Sequence, residues 1–374
     1  MGSSEPVRLL DIGASWAEVA EEAEPAVLEV LRSGQWALGP RVEAFEQEMA
    51  DFVGARHGIG VASGTDALLL ALMALDVGPG DEVITTPFTF FSTASVIVRT
   101  GATPVFADIR EQDCLLDPIA SEAVLSARTR ALMPVHLYGQ CVDDMGFDTL
   151  ARQHKLPIIE DACQAIGASR GIARAGSFGD LAAFSFYPTK NLSAAGDAGV
   201  VTTNDDALAA RVQRLRVHGS EKRYEHIEMG LNSRLDAIQA VILSIRLKRL
   251  ADWNAARIRI AENYDRLLVE AGIHDRIRPL ERHAGEHVFH QYVVRVERRD
   301  ELRQHLANQD IGSEVYYPIP LHLQECFTNL GYREGDFPVA ERAAREVLAL
   351  PIYPGLTQPA QERVIESIRG FLES

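Results

Sequence analysis

The 374-residue sequence lacks the cysteine patterns that organise small secreted domains and zinc sites. Its four cysteines (Cys114, Cys141, Cys163 and Cys326) show no Cys-x-x-Cys spacing and no paired histidines. Neither a disulfide framework nor a metal site is therefore predicted. Free thiols are typical of the reducing cytoplasm, and we predict a cytoplasmic protein.

A basic surplus is also missing, because Asp and Glu outnumber Lys and Arg by 53 to 37 and leave a net charge of −16. A nucleic-acid partner would need a basic face over most of its footprint, so none is expected. The longest apolar run, Ala67 to Leu75, is too short to cross a bilayer. The first six residues contain no basic start followed by an apolar stretch, so no signal peptide and no membrane partner are predicted.

The composition, with 47% hydrophobic and 24% charged residues, is typical of a globular protein. The chain is also long enough to form two domains. From Gly58 to Asp161 short apolar runs alternate with helical windows. This alternation predicts a mostly parallel sheet covered by helices on both faces. Strands are expected at 59–62, 83–85, 104–107, 131–135 and 157–160, and helices at 16–31, 41–53, 66–75, 91–99, 121–127 and 145–154.

After Asp205 the pattern becomes mainly helical, with one long amphipathic stretch from Leu235 to Leu268. Beyond it the sequence predicts a smaller α+β unit. Its expected strands are 290–296 and 313–317, and its expected helices are 300–308, 338–348 and 358–372. We place the domain boundary between residues 250 and 251, which gives domains 1–250 and 251–374.

Ser63-Gly64-Thr65 forms a turn before an almost entirely apolar helix. A turn at a helix N-terminus presents unpaired amides and the positive end of the helix dipole, which suits a phosphate. Simple helix capping by Ser63 or Thr65 is the alternative.

Asp161 ends an apolar strand, and ligands of parallel sheets bind beyond the carboxyl ends of the strands. A carboxylate at that position needs a partner, which a protonated pyridine nitrogen could supply. A helix cap or an ion pair with an arginine is the alternative. Phe90 and the loop after His136 also fall at strand ends.

Lys190 lies between an apolar run, Leu181 to Phe186, and the Gly-rich loop from Gly196 to Gly199. Burial beside aromatic residues would lower the pKa of its amine, and a neutral amine can form a Schiff base with a carbonyl. A solvated loop lysine is the alternative. Trp36, in a turn-rich loop, is either a lining residue of a ligand cleft or a packing residue.

Together, Ser63-Gly64-Thr65-Asp66-Ala67, Glu160-Asp161-Ala162-Cys163-Gln164, Ser185-Phe186-Tyr187-Pro188-Thr189-Lys190 and Gly230-Leu231-Asn232-Ser233-Arg234-Leu235-Asp236 resemble the DegT/DnrJ/StrS family. Members of that family are nucleotide-sugar aminotransferases of pyridoxal phosphate (PLP) fold type I. The resemblance implies an α/β fold, with a large PLP-binding domain built on a mostly parallel seven-stranded sheet and a smaller C-terminal α+β domain. The N-terminal arm would belong to the large domain, and two subunits would form a homodimer with shared active sites.

The resemblance also implies roles for individual residues. Lys190 would hold PLP covalently and move the proton, and Asp161 would contact the ring nitrogen. Gln164 would contact the ring oxygen and Phe90, rather than Phe88, would stack on the ring. The phosphate would be held by Gly64, Thr65, Ser185 and, from the other subunit, Asn232. Without the resemblance, the Asn232 segment is a loop before a helix capped at Ser233.

Substrate residues are predicted less directly, as Arg234, Tyr317, His322 and Trp36. Arg234 could bind a sugar hydroxyl, a diphosphate or a uronate, or could pair with Asp236. The predicted reaction moves an amino group from L-glutamate to a keto carbon, preferably C3, of a UDP- or dTDP-linked ketosugar. Alternatives are a C4 aminotransferase of a 4-keto-6-deoxysugar and a PLP-binding regulator without turnover. The dehydratases of the family carry histidine in place of the lysine, whereas this chain has Lys190.

Overall fold

The structure is a computed structural model that describes residues 5–171 and 173–373. Residues 1–4, on which the prediction of no signal peptide partly depends, lie outside the described residues. The helices are α1 (Ile12–Ala17), α2 (Ala20–Ser33), α3 (Pro40–Val53), α4 (Gly64–Ala74), α5 (Ser92–Arg99), α6 (Pro118–Ala123), α7 (Asp144–His154), α8 (Asp206–Leu215), α9 (Ala237–Glu270), α10 (Arg299–Ala307), α11 (Pro338–Glu346) and α12 (Gln358–Glu373). The strands are β1 (His57–Val61), β2 (Glu82–Thr85), β3 (Thr103–Phe106), β4 (Thr129–Leu132), β5 (Ile159–Asp161), β6 (Ser169–Arg170), β7 (Ala173–Arg174), β8 (Leu181–Ser185), β9 (Gly199–Thr203), β10 (Ser220–Lys222), β11 (Glu225–His226), β12 (Arg278–Pro279), β13 (Tyr292–Arg295) and β14 (Val347–Leu350).

The main sheet of the described chain has seven strands in the order β1–β9–β8–β5–β4–β2–β3. Two parallel bridges, Leu132 with Ile158 and Val135 with Asp161, join its four-stranded half to its three-stranded half. Only β9 runs antiparallel to its neighbours. The predicted mostly parallel seven-stranded sheet is confirmed.

Side chains that alternate along β8 and β9 build a separate core on each face of this sheet. Ala183 and Val201 face the cluster around α4, whereas Phe184 and Val200 face the cluster formed with α2, α3 and α9. Helix α4 is apolar on nearly all sides because it is buried between the sheet, α5 and α8. The sheet therefore holds the N-terminus of α4 and the ends of β5 and β8 in fixed relative positions.

The smaller C-terminal unit is a three-stranded antiparallel sheet, β12–β13–β14, with α10, α11 and α12. The expected strand 313–317 is wrong, because only Glu314 bridges to Ala349 before the chain turns away. The expected helix 338–348 ends at Glu346, and Val347–Leu350 forms β14 beside β13 instead. All four residues of this apolar segment are buried, and as a strand they also form backbone hydrogen bonds with β13.

Helix α9 is continuous from Ala237 to Glu270, so the proposed boundary between residues 250 and 251 lies within it. We retain the division into 1–250 and 251–374 as a proposal in which α9 connects the two domains. One core cluster includes Ile84 and Phe106 of the main sheet together with Val294 and Leu348 of the smaller one. None of the helices in the described residues combines the length and apolar character needed to cross a membrane.

Candidate active site

A cavity of about 530 Å³ lies between the main sheet and the C-terminal unit. Its wall contains five of the predicted residues, namely Thr65, Phe90, Gln164, Lys190 and Tyr317. The remaining lining residues are Leu9, Leu10, Tyr187, Thr189, Asp197, His290, Gln291, Tyr316, Ala349, Leu350 and Ile352. A larger surface depression of about 750 Å³, beside α6 and α7, contains none of the predicted residues.

Lys190 follows β8 in a tight turn, in which its amide donates a hydrogen bond to the carbonyl oxygen of Tyr187 at 2.8 Å. Its amine makes no hydrogen bond or ion pair with a described residue. Burial lowers the pKa of this amine, while Cys163 and Asp161 nearby act in the opposite direction. The neutral, nucleophilic form of Lys190 is therefore more accessible than that of a solvated lysine.

Asp161, 5% exposed, is the last residue of β5. Its carboxylate accepts hydrogen bonds from the hydroxyl of Thr93 at 2.7 Å and the amide of Cys163 at 3.3 Å. No lysine, arginine or histidine of the described chain lies within ion-pairing distance of it. The preceding residue, Glu160, is instead engaged by His136 and three backbone amides. Asp161 is thus a buried carboxylate without a cationic partner. Because an unpaired buried charge is energetically costly, a bound cationic group would stabilise it.

The N-terminus of α4 leaves two backbone amides free. Ser63 caps the helix by accepting a hydrogen bond from the amide of Asp66 at 3.1 Å, as the capping alternative predicts. The amides of Gly64 and Thr65 donate to no described residue, and together with the helix dipole they suit an anion. A side chain at position 64 would place its Cβ only 2.6 Å from Cβ of Ser185, so glycine allows Ser185 to approach this helix end.

Gln164 is fixed on both sides of its amide group. Its Oε1 accepts a hydrogen bond from the amide of Tyr138 at 2.7 Å, and its Nε2 donates to the hydroxyl of Tyr317 at 3.0 Å. The hydroxyl of Tyr138 in turn donates to the carbonyl oxygen of Tyr316. Burial raises the pKa of Tyr317, so this phenol stays protonated. The network connects the end of β5 to the C-terminal unit across the cavity.

The structure distinguishes Phe88 from Phe90. Phe88 is fully buried, whereas Phe90 is 56% exposed and lines the cavity. The ring of Phe90 lies 6.2 Å from that of Tyr317, with the two planes tilted by 43°. Phe90 is therefore the ring that a ligand in the cavity can reach, and Phe88 is not.

Asn232, Arg234 and Trp36 are among the seven predicted residues that do not line the cavity. Asn232 and Arg234 are exposed, and Arg234 forms no ion pair with Asp236 or any other described acid. Between them, the buried Ser233 accepts a hydrogen bond from the amide of Ala62 at 3.1 Å. Ser233 is not a helix cap, because α9 begins after Asp236. Trp36, 57% exposed, neighbours the same loop, since its carbonyl oxygen accepts from the amide of Ala237.

His322 is neither exposed nor part of the cavity wall. It is buried against the ring of Phe337, and its Nε2 lies 3.0 Å from the carboxylate of Glu341. Glu341 also accepts from the amide of Gly335 at 2.8 Å. This position favours a structural role for His322 over the predicted contact with substrate.

The cavity also contains residues that were not predicted. His290 and Gln291 precede β13, and each has one buried polar atom (Nδ1 of His290 and Oε1 of Gln291) without a hydrogen-bond partner. Burial, together with Lys190 and Arg257, lowers the pKa of His290 well below its usual value. In the sequence, His290 and Gln291 are only two polar residues near the start of a predicted strand. Nothing in that pattern indicates that the C-terminal unit packs next to Lys190. Only the tertiary contact reveals it.

The chain matches the family model described as the DegT/DnrJ/EryC1/StrS aminotransferase family over residues 17–369. It is 47% identical to a pleiotropic regulatory protein of Geobacillus stearothermophilus, covering 98% of each chain. It is 44% identical to the dTDP-3-amino-3,4,6-trideoxy-alpha-D-glucose transaminase of Streptomyces venezuelae, over 98% of this chain and 96% of that protein. It is 42% identical over both full lengths to the UDP-N-acetyl-3-dehydro-alpha-D-glucosamine 3-aminotransferase of Acidithiobacillus ferrooxidans.

Solved structures agree with the sequence relatives. Streptomyces venezuelae DesV, in complex with a ketimine intermediate, superposes with a TM-score of 0.96 at 43% identity, over 99% of this chain and 100% of that one. A Bacillus subtilis protein solved with bound cofactor PMP gives 0.92 at 31% identity, over 100% of this chain and 86% of that one.

Proposed function

The chain belongs to the DegT/DnrJ/EryC1/StrS aminotransferase family, and from this premise we propose that it transfers an amino group from L-glutamate to the C3 keto carbon of a UDP- or dTDP-linked ketosugar. The chain is a PLP-dependent sugar aminotransferase. The observation that carries the proposal is Lys190, an amine of lowered pKa, in the wall of a cavity next to the unpaired Asp161.

The described residues fit the cofactor. Asp161 lacks the cation that a protonated ring nitrogen would provide, and the free amides of Gly64 and Thr65 lack an acceptor that a phosphate would provide. We propose that Ser185 adds a hydroxyl to the phosphate, that Phe90 stacks on the ring, and that Gln164 contacts the ring oxygen. When bound, the cofactor supplies a reactive carbonyl and a ring that withdraws electrons from the carbon being deprotonated.

The chemistry of the protein then depends on Lys190 and its surroundings. Its lowered pKa lets the free amine accept a proton from one carbon and return it to another, as general acid–base catalysis requires. Gln164 and Tyr317 hold a fixed hydrogen-bond network beside it. We propose Tyr317 as a substrate contact, because its ring lines the cavity next to that of Phe90.

The preference for C3 draws on the names of relatives. Both the Streptomyces venezuelae and the Acidithiobacillus ferrooxidans proteins are named for an amino group at C3, one on a dTDP sugar and the other on a UDP sugar. Their identities of 44% and 42% extend over almost the whole chain. We therefore propose C3 ahead of C4 and leave both nucleotides in the proposal.

A direct assay tests the reaction. The purified enzyme is incubated with L-glutamate and a panel of UDP- and dTDP-linked 3-ketosugars and 4-ketosugars. We expect 2-oxoglutarate and an aminosugar whose amino carbon is C3 by NMR. An amino group found at C4 would support the alternative position. If no member of the panel yields 2-oxoglutarate, the proposed pair of substrates is wrong.

A regulator without turnover is the second candidate, since the Geobacillus stearothermophilus relative is named as a regulatory protein. Such a protein would bind the cofactor but would not convert it. Mixing holoenzyme with L-glutamate alone separates the two, because an aminotransferase forms up to one equivalent of 2-oxoglutarate per site before any sugar is added. A regulator forms none.

We further propose a homodimer with shared active sites. Asn232, Arg234 and Trp36 are exposed on one surface, and none of them lines the cavity of its own chain. The neighbouring hairpin, β10–β11 and the turn after it, exposes the apolar side chains of Tyr224, Ile227 and Met229. An exposed cluster of apolar side chains with polar residues at its border is typical of an interface. In the proposed dimer, Asn232 contacts the cofactor phosphate in the partner subunit, and Arg234 and Trp36 contact the sugar nucleotide there.

Subunit mixing tests this arrangement. Asn232→Asp would place a carboxylate against a phosphate, and like charges in a partly buried site repel strongly, so this variant and Lys190→Ala should each be inactive alone. In a hybrid dimer, one of the two sites has both intact residues. With random pairing, activity should recover to roughly a quarter of the wild-type value.

The matched control for mixing is Asn308→Asp, the same change at the end of α10, which should be active alone. Native mass spectrometry reports whether hybrids form. If hybrids are present and activity does not return, Asn232 does not act across the interface.

A further inference from the structure

Two buried arginines next to the active site lack acidic partners. Arg257 is 5% exposed, and its Nη1 donates hydrogen bonds to the carbonyl oxygens of Phe289 at 3.0 Å and Ile352 at 3.1 Å. Arg246 is equally buried; its Nη2 donates to the hydroxyl of Ser15 at 3.1 Å, and its Nε has no partner. Neither guanidinium forms an ion pair with a described carboxylate.

Both arginines lie on one face of α9, with Trp253 between them. The guanidinium of Arg246 lies 5.0 Å from the centre of the Trp253 ring. All three residues line a second, small cavity of about 30 Å³. Lys190 lines both this cavity and the large one, so the small cavity adjoins the reactive amine.

The acids near the small cavity are already engaged. Asp11 lines it, and its carboxylate accepts hydrogen bonds from the amide of Ala14 at 2.9 Å and from Arg8 at 3.3 Å. Glu18 accepts from Nε1 of Trp253 at 2.7 Å. Burial lowers the pKa of Arg257 to about 10 and also lowers that of Arg246. Arg246, Arg257 and Lys190 therefore line one cavity, and no described carboxylate forms an ion pair with any of them.

Elsewhere the chain pairs its buried arginines. Arg299 contacts Asp300 at 2.6 Å, Arg295 contacts Glu111 at 2.9 Å, and Arg216 contacts Glu46. A buried charge without a counter-ion is energetically costly. Because Arg246 and Arg257 lack the acidic partners that the other buried arginines have, we infer that an anion from outside the chain binds to them. At about 10–15 Å³ per water, the cavity holds about two waters. That space suits a halide or one carboxylate group, and not a nucleoside diphosphate.

We propose that Arg246 and Arg257 form a site for one small monovalent anion beside Lys190. The anion is either a halide or a carboxylate of the amino donor; the second source rests on the proposed function, whereas the first does not. An anion at this place favours the protonated form of the adjacent amine, so its occupancy couples to proton transfer by Lys190.

Bromide provides a probe, because it quenches tryptophan fluorescence and Trp253 lines the site. Holoenzyme in halide-free buffer is titrated with sodium bromide, followed by fluorescence and by calorimetry. We expect a saturable phase that Trp253→Phe removes, above the linear quenching of the exposed Trp36. Arg246→Gln and Arg257→Gln should each weaken bromide binding about tenfold or more, because each removes a charged donor.

Two further variants separate charge from structure. Arg257→Lys keeps the charge and should stay within about threefold of wild type. Arg299→Gln removes another buried arginine that donates to two carbonyl oxygens, and should leave bromide affinity unchanged even if stability falls. If Arg257→Gln does not fold, Arg246→Gln and Arg257→Lys still decide the result.

Glutarate, a dicarboxylate without an amino group, distinguishes the two sources. If glutarate displaces bromide competitively, the site binds a carboxylate of the donor. If bromide binding is saturable and glutarate does not displace it, the site binds a halide. The absence of saturable bromide binding, or binding that neither arginine substitution weakens, overturns the proposal. Binding is measured without turnover, so this result and the transamination assay can fail independently.

Discussion

Lys190→Ala should bind the cofactor but lose turnover by several orders of magnitude. The covalent link to the cofactor and the proton transfer both depend on this one amine, and alanine can perform neither. The loss should appear in kcat, because the cavity and its other lining residues remain. Exogenous methylamine, which restores a free amine to the cavity, should recover part of the rate.

The chain itself makes the covalent test specific. It has only four lysines, at positions 155, 190, 222 and 248, and among them only Lys190 lines the cavity. Borohydride treatment of the wild-type holoenzyme should bleach its yellow colour and add the cofactor mass to the peptide that contains Lys190. Lys248→Ala, which removes an exposed lysine paired with Glu22, is the matched control and should stay fully active. Full activity of Lys190→Ala, or the label on another lysine, would contradict the mechanism.

Much of the cavity was predictable because it is built from strand ends and a helix start. Asp161 is the last residue of β5 and Lys190 follows the parallel neighbouring strand β8, so their motifs meet at the carboxyl ends of these strands. Thr65 meets them because α4 packs on β8 and begins at the same edge. Strand ends and helix starts depend mainly on residues close together in the chain, so a single sequence is enough to predict them.

The remaining features depend on contacts that no local pattern encodes. The run Val347 to Leu350 is apolar in a way that fits both the end of a helix and a buried strand, and pairing with β13 decides between them. His290, Arg246 and Arg257 look like ordinary residues of a strand start and an amphipathic helix. In the described chain, His290 and Arg246 each have a buried polar atom without a hydrogen-bond partner, and Arg257 has no acidic partner; only the folded chain reveals these features.

The sequence motifs also do not show whether a residue contributes to the active site of its own subunit or to that of the partner subunit. Asn232 and Arg234 alternate with the buried Ser233 and Leu235, a pattern that predicts exposure on one side but no target. His322 shows the opposite case, since the family resemblance implied a contact with substrate and the structure buries the side chain against Phe337. Neither assignment could be made without the tertiary structure.

Asp161→Asn should be nearly inactive and should bind the cofactor more weakly, while remaining folded. The asparagine amide can keep the hydrogen bonds with Thr93 and Cys163 in part, so the local structure changes little. It cannot balance the positive charge of a protonated ring nitrogen, and the ring then withdraws electrons less strongly. Removing one partner of a buried charged pair costs roughly 3–5 kcal/mol, which corresponds to about two to four orders of magnitude divided between cofactor affinity and rate.

Asp180→Asn is the matched control. Asp180 also accepts a hydrogen bond from a backbone amide, that of Ile158 at 2.8 Å, but it lies just before β8, whereas Asp161 is the last residue of β5. It should retain wild-type cofactor affinity and rate. Cofactor binding is measured by equilibrium dialysis, turnover by 2-oxoglutarate release, and folding by urea unfolding of the cofactor-free protein. Because Asp161 is buried without a cation in the described chain, asparagine should leave the stability of the cofactor-free protein equal or higher while it weakens the holoenzyme. A variant that loses stability without cofactor and keeps wild-type affinity and rate would show that Asp161 is a structural residue.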